Sequence, residues 1–244
     1  MEEISLKAQQ LFNIGSFGVT NGLLLTLIVS VILIAFSLVF TKKIKIIPGK
    51  MQGAVEMGFE GLLGLMESTL GSIEAAEKYF PLIATIFIFI LASNLMGILP
   101  GVGSLMFENG GKGVPLFRSP AADLNFTLAF AVISVIVTNI IGMASVGIFK
   151  HLGKFFNFKG PIDFFIGILE LISELAKIIS LSFRLFGNVF AGEVLLTIIS
   201  FLAPYFIPLP FLFLELFVGA IQAFIFAMIT LVSISLHTAT HGEH

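Results

Sequence analysis

The sequence has no cysteine and no tryptophan, and only 11% of its 244 residues carry charge. The absence of cysteine excludes disulfide bonds, thiol catalysis and cysteine metal sites. A soluble domain carries about 25% charged residues, so the shortage of charge excludes that class of protein. Without tryptophan, an aromatic belt at a membrane interface would depend on the 28 phenylalanines and two tyrosines.

Long apolar stretches take the place of the missing charge. Hydrophobic residues make up 57% of the chain, and the mean hydropathy is +1.07. About 20 apolar residues cross the ~30 Å hydrocarbon core of a bilayer as a helix. The pattern predicts an all-α polytopic membrane protein, one membrane domain with about five crossings, with spans at 21–41, 80–101 and 122–150 and two longer helices at 160–203 and 208–238.

The segments between the spans have different patterns. Residues 51–78 predict a surface amphipathic helix, because glutamates interleave with apolar residues at helical spacing. A solvated cytoplasmic helix pair is the alternative. Residues 101–121, rich in glycine and proline, predict a loop. Residues 1–20 are polar, lack the basic start of a signal peptide, and are predicted to lie outside.

The segment at 160–203 is too long for an upright crossing. At helical rise it measures about 65 Å, twice the hydrocarbon thickness. It also contains several charged residues, so we expect a tilted helix that forms a membrane hairpin with 208–238. The turn between them is predicted at Pro204, Pro208 and Pro210.

Basic residues predict the orientation of the chain. With the N-terminus outside, the inside segments 42–79 and 150–160 hold five and three basic residues. The outside segments then hold three, namely Lys7, Lys112 and Arg118. The excess on the inside predicts that the N-terminus lies outside and the C-terminus in the cytoplasm.

Arg184 is the most unusual residue, because it lies in an apolar run and cannot lose its proton. Its insertion costs about 3 kcal/mol at the bilayer centre. Glu170, Lys177 and Arg184 are seven residues apart and form one stripe on a helix. Asn188 adjoins Arg184 on that face. Glu193, nine residues after Arg184, points nearly the opposite way and lies about 13 Å along the axis.

Other polar residues in the spans have two interpretations each. Glu193 and Glu215 are candidate proton relays, and interhelical ion pairs are the alternative. Gln222 shares a helix face with Glu215. Asn94 fits a helix–helix hydrogen bond or a transport residue. Asp123 and Asn125 stand at the start of the third span. They either cap this helix or line an aqueous vestibule.

The histidines lie near the ends of segments, which argues against an intramembrane metalloenzyme. We expect them to be solvated and predict no metal site and no cofactor. They are His151, His237, His241 and His244.

The motif LSFRLFGNVFAGE at 181–193, followed by IQAFIFAM, closely resembles subunit a of F-type ATP synthases. ADLNFTLA, FPLIATIFIFILASNLMGILPG and PIDFFIGILELISELAKIISLS resemble the same family. The resemblance covers the chain from about Ile47 onward.

The resemblance implies roles for individual residues. Arg184 matches the essential arginine, which faces a carboxylate on a rotating ring of c subunits. Glu193 and Glu215 match two polar positions of the half-channel open to the outside. One of these is a histidine in many relatives, so the two glutamates here argue against a histidine relay. Asn188 and Gln222 match polar partners of the arginine. Further channel-lining matches are Asn94, Asp123 and Asn125, with Glu170 and Lys177 near the cytoplasmic exit.

The resemblance implies a proton-channel stator subunit that couples proton flow to ATP synthesis through two offset half-channels. Its expected partners are the c-ring, the peripheral-stalk b subunits, membrane lipid and protons, and no nucleic acid. The chain has no phosphate-binding loop, so we expect no catalytic site of its own. The expected location is a bacterial plasma (inner) membrane, with a plastid second. The alternative function is a self-contained ion channel or secondary transporter, although no internal repeat supports a transporter.

Overall fold

The fold is dominated by helices. The computed structural model describes residues 8–15, 17–99, 102, 105–109, 112–155 and 160–238. Five helices there are long and apolar enough to cross a membrane, namely α1, α3, α4, α6 and α7. The predicted all-α polytopic membrane fold is therefore confirmed. The helices are α1 Asn21–Thr41, α2 Lys50–Leu70, α3 Ile73–Ile98, α4 Leu124–Val146, α5 Ile148–Leu152, α6 Pro161–Leu202 and α7 Pro208–Thr238.

The predicted surface helix at 51–78 is divided at Gly71. Gly71 adopts a left-handed conformation with φ +79°, which ends α2. Ser72 then caps α3, because its side chain accepts a hydrogen bond from the backbone of Ala75 at 3.2 Å. The span consequently begins at Ile73, not near residue 80. Pro81 lies inside α3 and not in its first turn.

Two short β-hairpins occupy segments for which the sequence predicted no regular structure. β1 (Gln10–Ile14) pairs with β2 (Phe17–Thr20), and β3 (Met106–Asn109) pairs with β4 (Lys112–Pro115). The buried Asn21 joins them, because its backbone bonds Gln9 and its side chain donates to the carbonyl of Pro115 at 3.2 Å. The loop prediction for 101–121 was therefore wrong for β3 and β4. A 3₁₀ helix at Pro120–Ala122 then leads into α4.

The third span ends earlier than predicted. Gly147, with φ +95°, terminates α4 after Val146, so the helix does not reach residue 150. The short helix α5 follows and turns back toward the core. His151 on α5 is 1% exposed. A glycine that permits this turn therefore determines where the end of the segment packs.

The core lies where α3, α4, α6 and α7 meet. Buried hydroxyl pairs join the helices at Thr127–Ser182 (3.1 Å) and Ser134–Thr230 (2.8 Å), as expected where lipid supplies no hydrogen-bond partners. In the most apolar stretch of α6, 11% of the residues are buried, against 44% in α7. One long face of α6 is therefore open, and its 42 residues extend about 63 Å. The buried apolar residues include Ile83, Ile90, Ala131, Leu185, Phe226 and Leu231.

Candidate functional site

Helix α6 carries an exposed cation near its middle. Arg184 lies on the open face, and its Nη2 donates to the Ser180 hydroxyl at 3.2 Å. Among the described residues, Arg184 forms no ion pair. Asn188 shares this face with Arg184, and Ala191 and the half-exposed Gly187 keep its profile low. The chain thus presents a guanidinium that has no ion pair among the described residues on an open helix face.

A charged group that we call the Glu193 cluster (Arg118, Glu193 and Glu215) lies toward one end of α6. Arg118 donates from Nε and Nη2 to Oε2 of Glu193, both at 3.3 Å. Its guanidinium also lies 5.8 Å from the ring centroid of Phe190. The Arg118 side chain is 9% exposed and that of Glu193 is 38% exposed. The sequence had suggested only that Arg118 was a basic residue of a loop.

Glu215 reaches this cluster because α6 has a glycine opposite it. A Cβ atom at Gly192 would lie 2.7 Å from Cδ of Glu215, so a larger residue there would displace the carboxyl group from this position. Within the described part of the chain, the buried Oε2 of Glu215 has no hydrogen-bond partner. A buried carboxylate without a partner is costly. This oxygen therefore requires a proton, a water molecule or a passing cation.

Two cavities meet at Glu215. The larger, of about 270 Å³, is lined by polar groups that include Gln9, Asn21, Arg118, Ser119, Glu193 and Glu215. The smaller, of about 10 Å³, is lined by Asn94, Asn188, Glu215 and Gly219. That volume holds about one water molecule. Glu215 thus joins the larger cavity to Asn188, which lies on the face of Arg184.

A second charged group lies toward the other end of α6, and we call it the Glu174 cluster (Asn139, His151, Glu174, Lys177 and His237). Glu174 is 7% exposed. It accepts hydrogen bonds from Nζ of Lys177 at 2.7 Å and Nδ2 of Asn139 at 3.3 Å, and Nε2 of His237 lies 3.3 Å from its Oε1. Four helices, α4 to α7, contribute to this cluster.

The prediction of solvated histidines was wrong for His151 and His237. They are 1% and 3% exposed, and their ring centroids lie 5.2 Å apart with planes nearly perpendicular. Gly142 makes room for both, because a Cβ there would lie 2.6 Å from His151 and 2.9 Å from His237. Burial lowers the pKa of His151, and the charges of His237 and Lys154 act in the same direction. His241 and His244 lie outside the described residues.

Comparison with known proteins identifies the family. A model of the family described as ATP synthase A chain matches residues 23–235. The chain belongs to this family. A protein named ATP synthase subunit a from Moorella thermoacetica is 34% identical, over 96% of this chain and 97% of the relative. A relative of the same name from Campylobacter jejuni is 34% identical over 89% of each chain. Another from Campylobacter fetus is 32% identical over the whole of both chains, 100% of each. The resemblance carried by residues 181–193 is confirmed.

In this member of the ATP synthase A chain family, the predicted polar residues of α3 and α4 occupy different environments. Asn94 donates to the carbonyl of Gly219 at 2.8 Å, which is the helix–helix bond, and it also lines the small cavity. Asp123 caps α4 by accepting from the backbone of Asn125 at 2.9 Å. Asp123 and Asn125 are not among the residues that line the two cavities. The cap interpretation therefore has direct geometric support.

Two further predicted residues, Gln222 and Glu170, are half-buried. Gln222 is half-buried on α7, two turns beyond Glu215. Glu170 is half-buried, and its carboxylate comes within 4.8 Å of the ligand atoms of Glu174 and His237. That spacing would admit a metal ion, but Lys177 already supplies a cation to Glu174 at 2.7 Å. The geometry therefore indicates an ion-pair network.

The sequence missed Arg118, Asn139, Glu174, His151 and His237. Their contacts join residues far apart in the chain, as in the Arg118–Glu193 pair, whose members are 75 positions apart. The available signal for Glu174 was its charge within an apolar run. For Arg118 it was a basic residue just before a proline-initiated helix.

Proposed function

We propose that this chain is the proton-conducting stator subunit of an F-type ATP synthase. The observation that carries the proposal is Arg184, exposed and without an ion pair among the described residues, on an open helix face between two charged clusters. A cation left unpaired within a membrane span needs a negative partner from another molecule. A carboxylate on a rotating c-ring is that partner in our proposal.

The Glu193 cluster supports the half-channel open to the outside. Protons would enter the cavity of about 270 Å³, pass Glu193 and Glu215, and reach Asn188 through the small cavity. The unpartnered oxygen of Glu215 suits a transient proton carrier, whereas Glu193 is paired with Arg118. In this path Glu215 makes the last transfer before the ring.

Arg184 provides the barrier in this mechanism. Its fixed charge attracts a deprotonated ring carboxylate and repels a proton that would pass straight between the half-channels. Each proton must then travel with the ring. Its transfer down the potential supplies about 2.3 kcal/mol per 100 mV, which becomes rotation. Synthesis of ATP would occur elsewhere in the complex, to which peripheral-stalk b subunits anchor this chain.

The proposed setting is a bacterial plasma membrane, with the N-terminus outside. The Glu174 cluster, with Lys150 and Lys154 nearby in the chain, would then lie on the cytoplasmic side. Asp123, Asn125, Glu170, Lys177 and Gln222 remain proposed neighbours of the two half-channels.

The test replaces Arg184 with alanine in the complete ATP synthase. We expect Arg184→Ala to abolish ATP-driven proton pumping in inverted vesicles while assembly is retained. Lys42→Ala, which removes an exposed cation outside the proposed path, is the matched control and should pump normally. Normal pumping by Arg184→Ala would refute the proposal. The alternative, a self-contained channel, predicts conduction by the purified chain alone in liposomes, and we expect none.

A further inference from the structure

The proposed function assigns no task to the buried histidines of the Glu174 cluster. Lys177 already neutralises Glu174 at 2.7 Å, so the ion pair needs neither imidazole. Within the described residues, Nδ1 of His151 and Nδ1 of His237 are buried and have no hydrogen-bond partner. Unsatisfied buried nitrogens cost stability, and apolar side chains of similar volume would avoid that cost. The pair is therefore poorly explained as packing.

Asn139 determines the tautomer of neutral His151. Its Nδ2 donates to Glu174 at 3.3 Å and to the carbonyl of Val135 at 2.8 Å, so Oδ1 is the atom that faces His151. Nε2 of His151 lies 3.1 Å from Oδ1 and must donate its proton. In the neutral ring, Nδ1 is then a free acceptor. Burial lowers the pKa of His151 and favours this neutral form.

The cluster connects the Arg184 face to the end of the helices opposite Glu193. Lys177 belongs to the same stripe as Arg184, about 10.5 Å away along α6. Its ammonium group reaches into the buried cluster, where it meets Glu174. The charged or titratable groups that act here come from three elements and one turn: Glu170, Glu174 and Lys177 on α6, His151 on α5, His237 on α7, and Lys154 after α5.

We propose that Glu174, His237 and His151 form a proton relay for the half-channel on the side of Lys154, an assignment that rests on the proposed function. Histidine exchanges protons near neutral pH, which lysine and arginine do not. During synthesis, a proton released near Arg184 is taken up by the Glu174 carboxylate. It passes to Nε2 of neutral His237, in the tautomer that carries its proton on Nδ1, and Glu174 becomes ionised again. The imidazolium gives its Nδ1 proton to the free Nδ1 of His151, whose ring centroid lies 5.2 Å away. His151 releases that proton to solvent on the side of Lys154, and tautomer exchange in His237 restores the starting state.

The test measures proton flux through the complete ATP synthase in inverted vesicles, with the pH of each face set separately. We expect His237→Gln and Glu174→Gln to lower ATP-driven pumping by about 10²-fold, the lower end of the 10²–10⁴-fold that a positioned proton-transfer group typically contributes. His151→Gln should shift the pH midpoint of the flux only when the pH is varied on the Lys154 face. Glu174→Asp should restore part of the flux.

Matched variants separate a relay from a structural role. Thr127→Val breaks the buried bond to Ser182 between α4 and α6 and removes no titratable group. It should lower thermal stability without moving the pH midpoint on either face. Should Glu174→Gln fail to assemble, the two histidine variants decide, since they keep the Glu174–Lys177 pair. Wild-type flux and an unmoved pH midpoint in both histidine variants would overturn the relay.

Arg184→Ala in the same vesicles separates failure of the relay from failure of the proposed function. If Arg184→Ala still pumps, the proposed function is wrong and the relay falls with it. If Arg184→Ala stops pumping and the histidine variants behave as the wild type, only the relay is wrong.

Discussion

The Glu193 cluster and the Glu174 cluster both contain a carboxylate paired with a cation, but they differ in their access to water. Glu193 borders a cavity of about 270 Å³ and is 38% exposed. Glu174 is 7% exposed, beside two histidines exposed by 3% or less. In the proposed mechanism, water would carry a proton to the Glu193 cluster, whereas side chains would transfer it in the Glu174 cluster. The difference in exposure therefore assigns different carriers to the two proposed half-channels.

Removal of the cation should lower the stability of the protein most in the Glu174 cluster. Lys177→Gln leaves the Glu174 carboxylate buried without its closest cation. Breaking a buried ion pair in this way costs about 3 kcal/mol of the free energy of unfolding. We expect the melting temperature of the purified chain in detergent to fall by about 6–12 °C. Lys177→Arg keeps the charge and is the control. If Lys177→Gln lowered the melting temperature no more than loss of an exposed ion pair does, the contrast between the two clusters would be wrong.

The packing of the Glu193 cluster depends on one glycine. Gly192→Ala places a methyl group 2.7 Å from Cδ of Glu215, so the carboxyl group must move. The carboxyl group is the far end of a flexible side chain, so we expect a cost at the low end of overpacking, about 1 kcal/mol of stability. Gly187→Ala on the same helix is the control, because its new Cβ meets nothing within 4 Å. Thermal denaturation should show a loss for residue 192 and none for residue 187, and equal effects would argue against this packing.

Arg118, the cation of the Glu193 cluster, should contribute less to stability than Lys177 does. Arg118→Gln leaves Glu193, whose side chain is 38% exposed and borders the cavity, so water can replace the lost bonds. Ion pairs of this exposure contribute about 1 kcal/mol or less. The melting temperature should fall by no more than about 4 °C. A fall as large as that of Lys177→Gln would remove the contrast between the two clusters.

Acidification should lower the stability of the protein through the Glu174 cluster, by less than any of the substitutions above. Because burial lowers the pKa of His151, the unfolded chain binds this proton at a higher pH than the folded chain. The contribution of His151 to stability is therefore complete above about pH 6.5 and declines as the pH falls below that value. We expect a small loss of melting temperature from pH 7 to pH 5, reduced in His151→Gln. Stability that rises on acidification would contradict this sign.

Helical periodicity predicted a large part of the local structure. The spacing of Arg184, Asn188 and Glu193 indicates which residues share a face of α6, because 3.6 residues complete a turn. The structure accordingly has Arg184 and Asn188 exposed and Glu193 turned toward Arg118. The length of α6 also followed from the uninterrupted apolar run. These features depend only on neighbours in the sequence.

Contacts between distant segments could not be predicted in this way. The partners of Glu174 come from α4 and α7, so its burial depends on how the helices pack and not on its own helix. His151 lies near the end of a span in the sequence, yet the turn at Gly147 carries it into the core. Gly71 also ends a helix that hydrophobic spacing alone would have continued. Helical periodicity identifies which residues share a face of one helix, but not which residues of other helices pack against that face.

Gly142 makes the two buried histidines mutually dependent. The space left by one absent methyl group accommodates Cε1 and Nδ1 of His151 and the Cβ of His237. A side chain at that position would displace an α5 residue and an α7 residue together. Glycine at this one position therefore lets the ends of α5 and α7 pack against α4 at the same point.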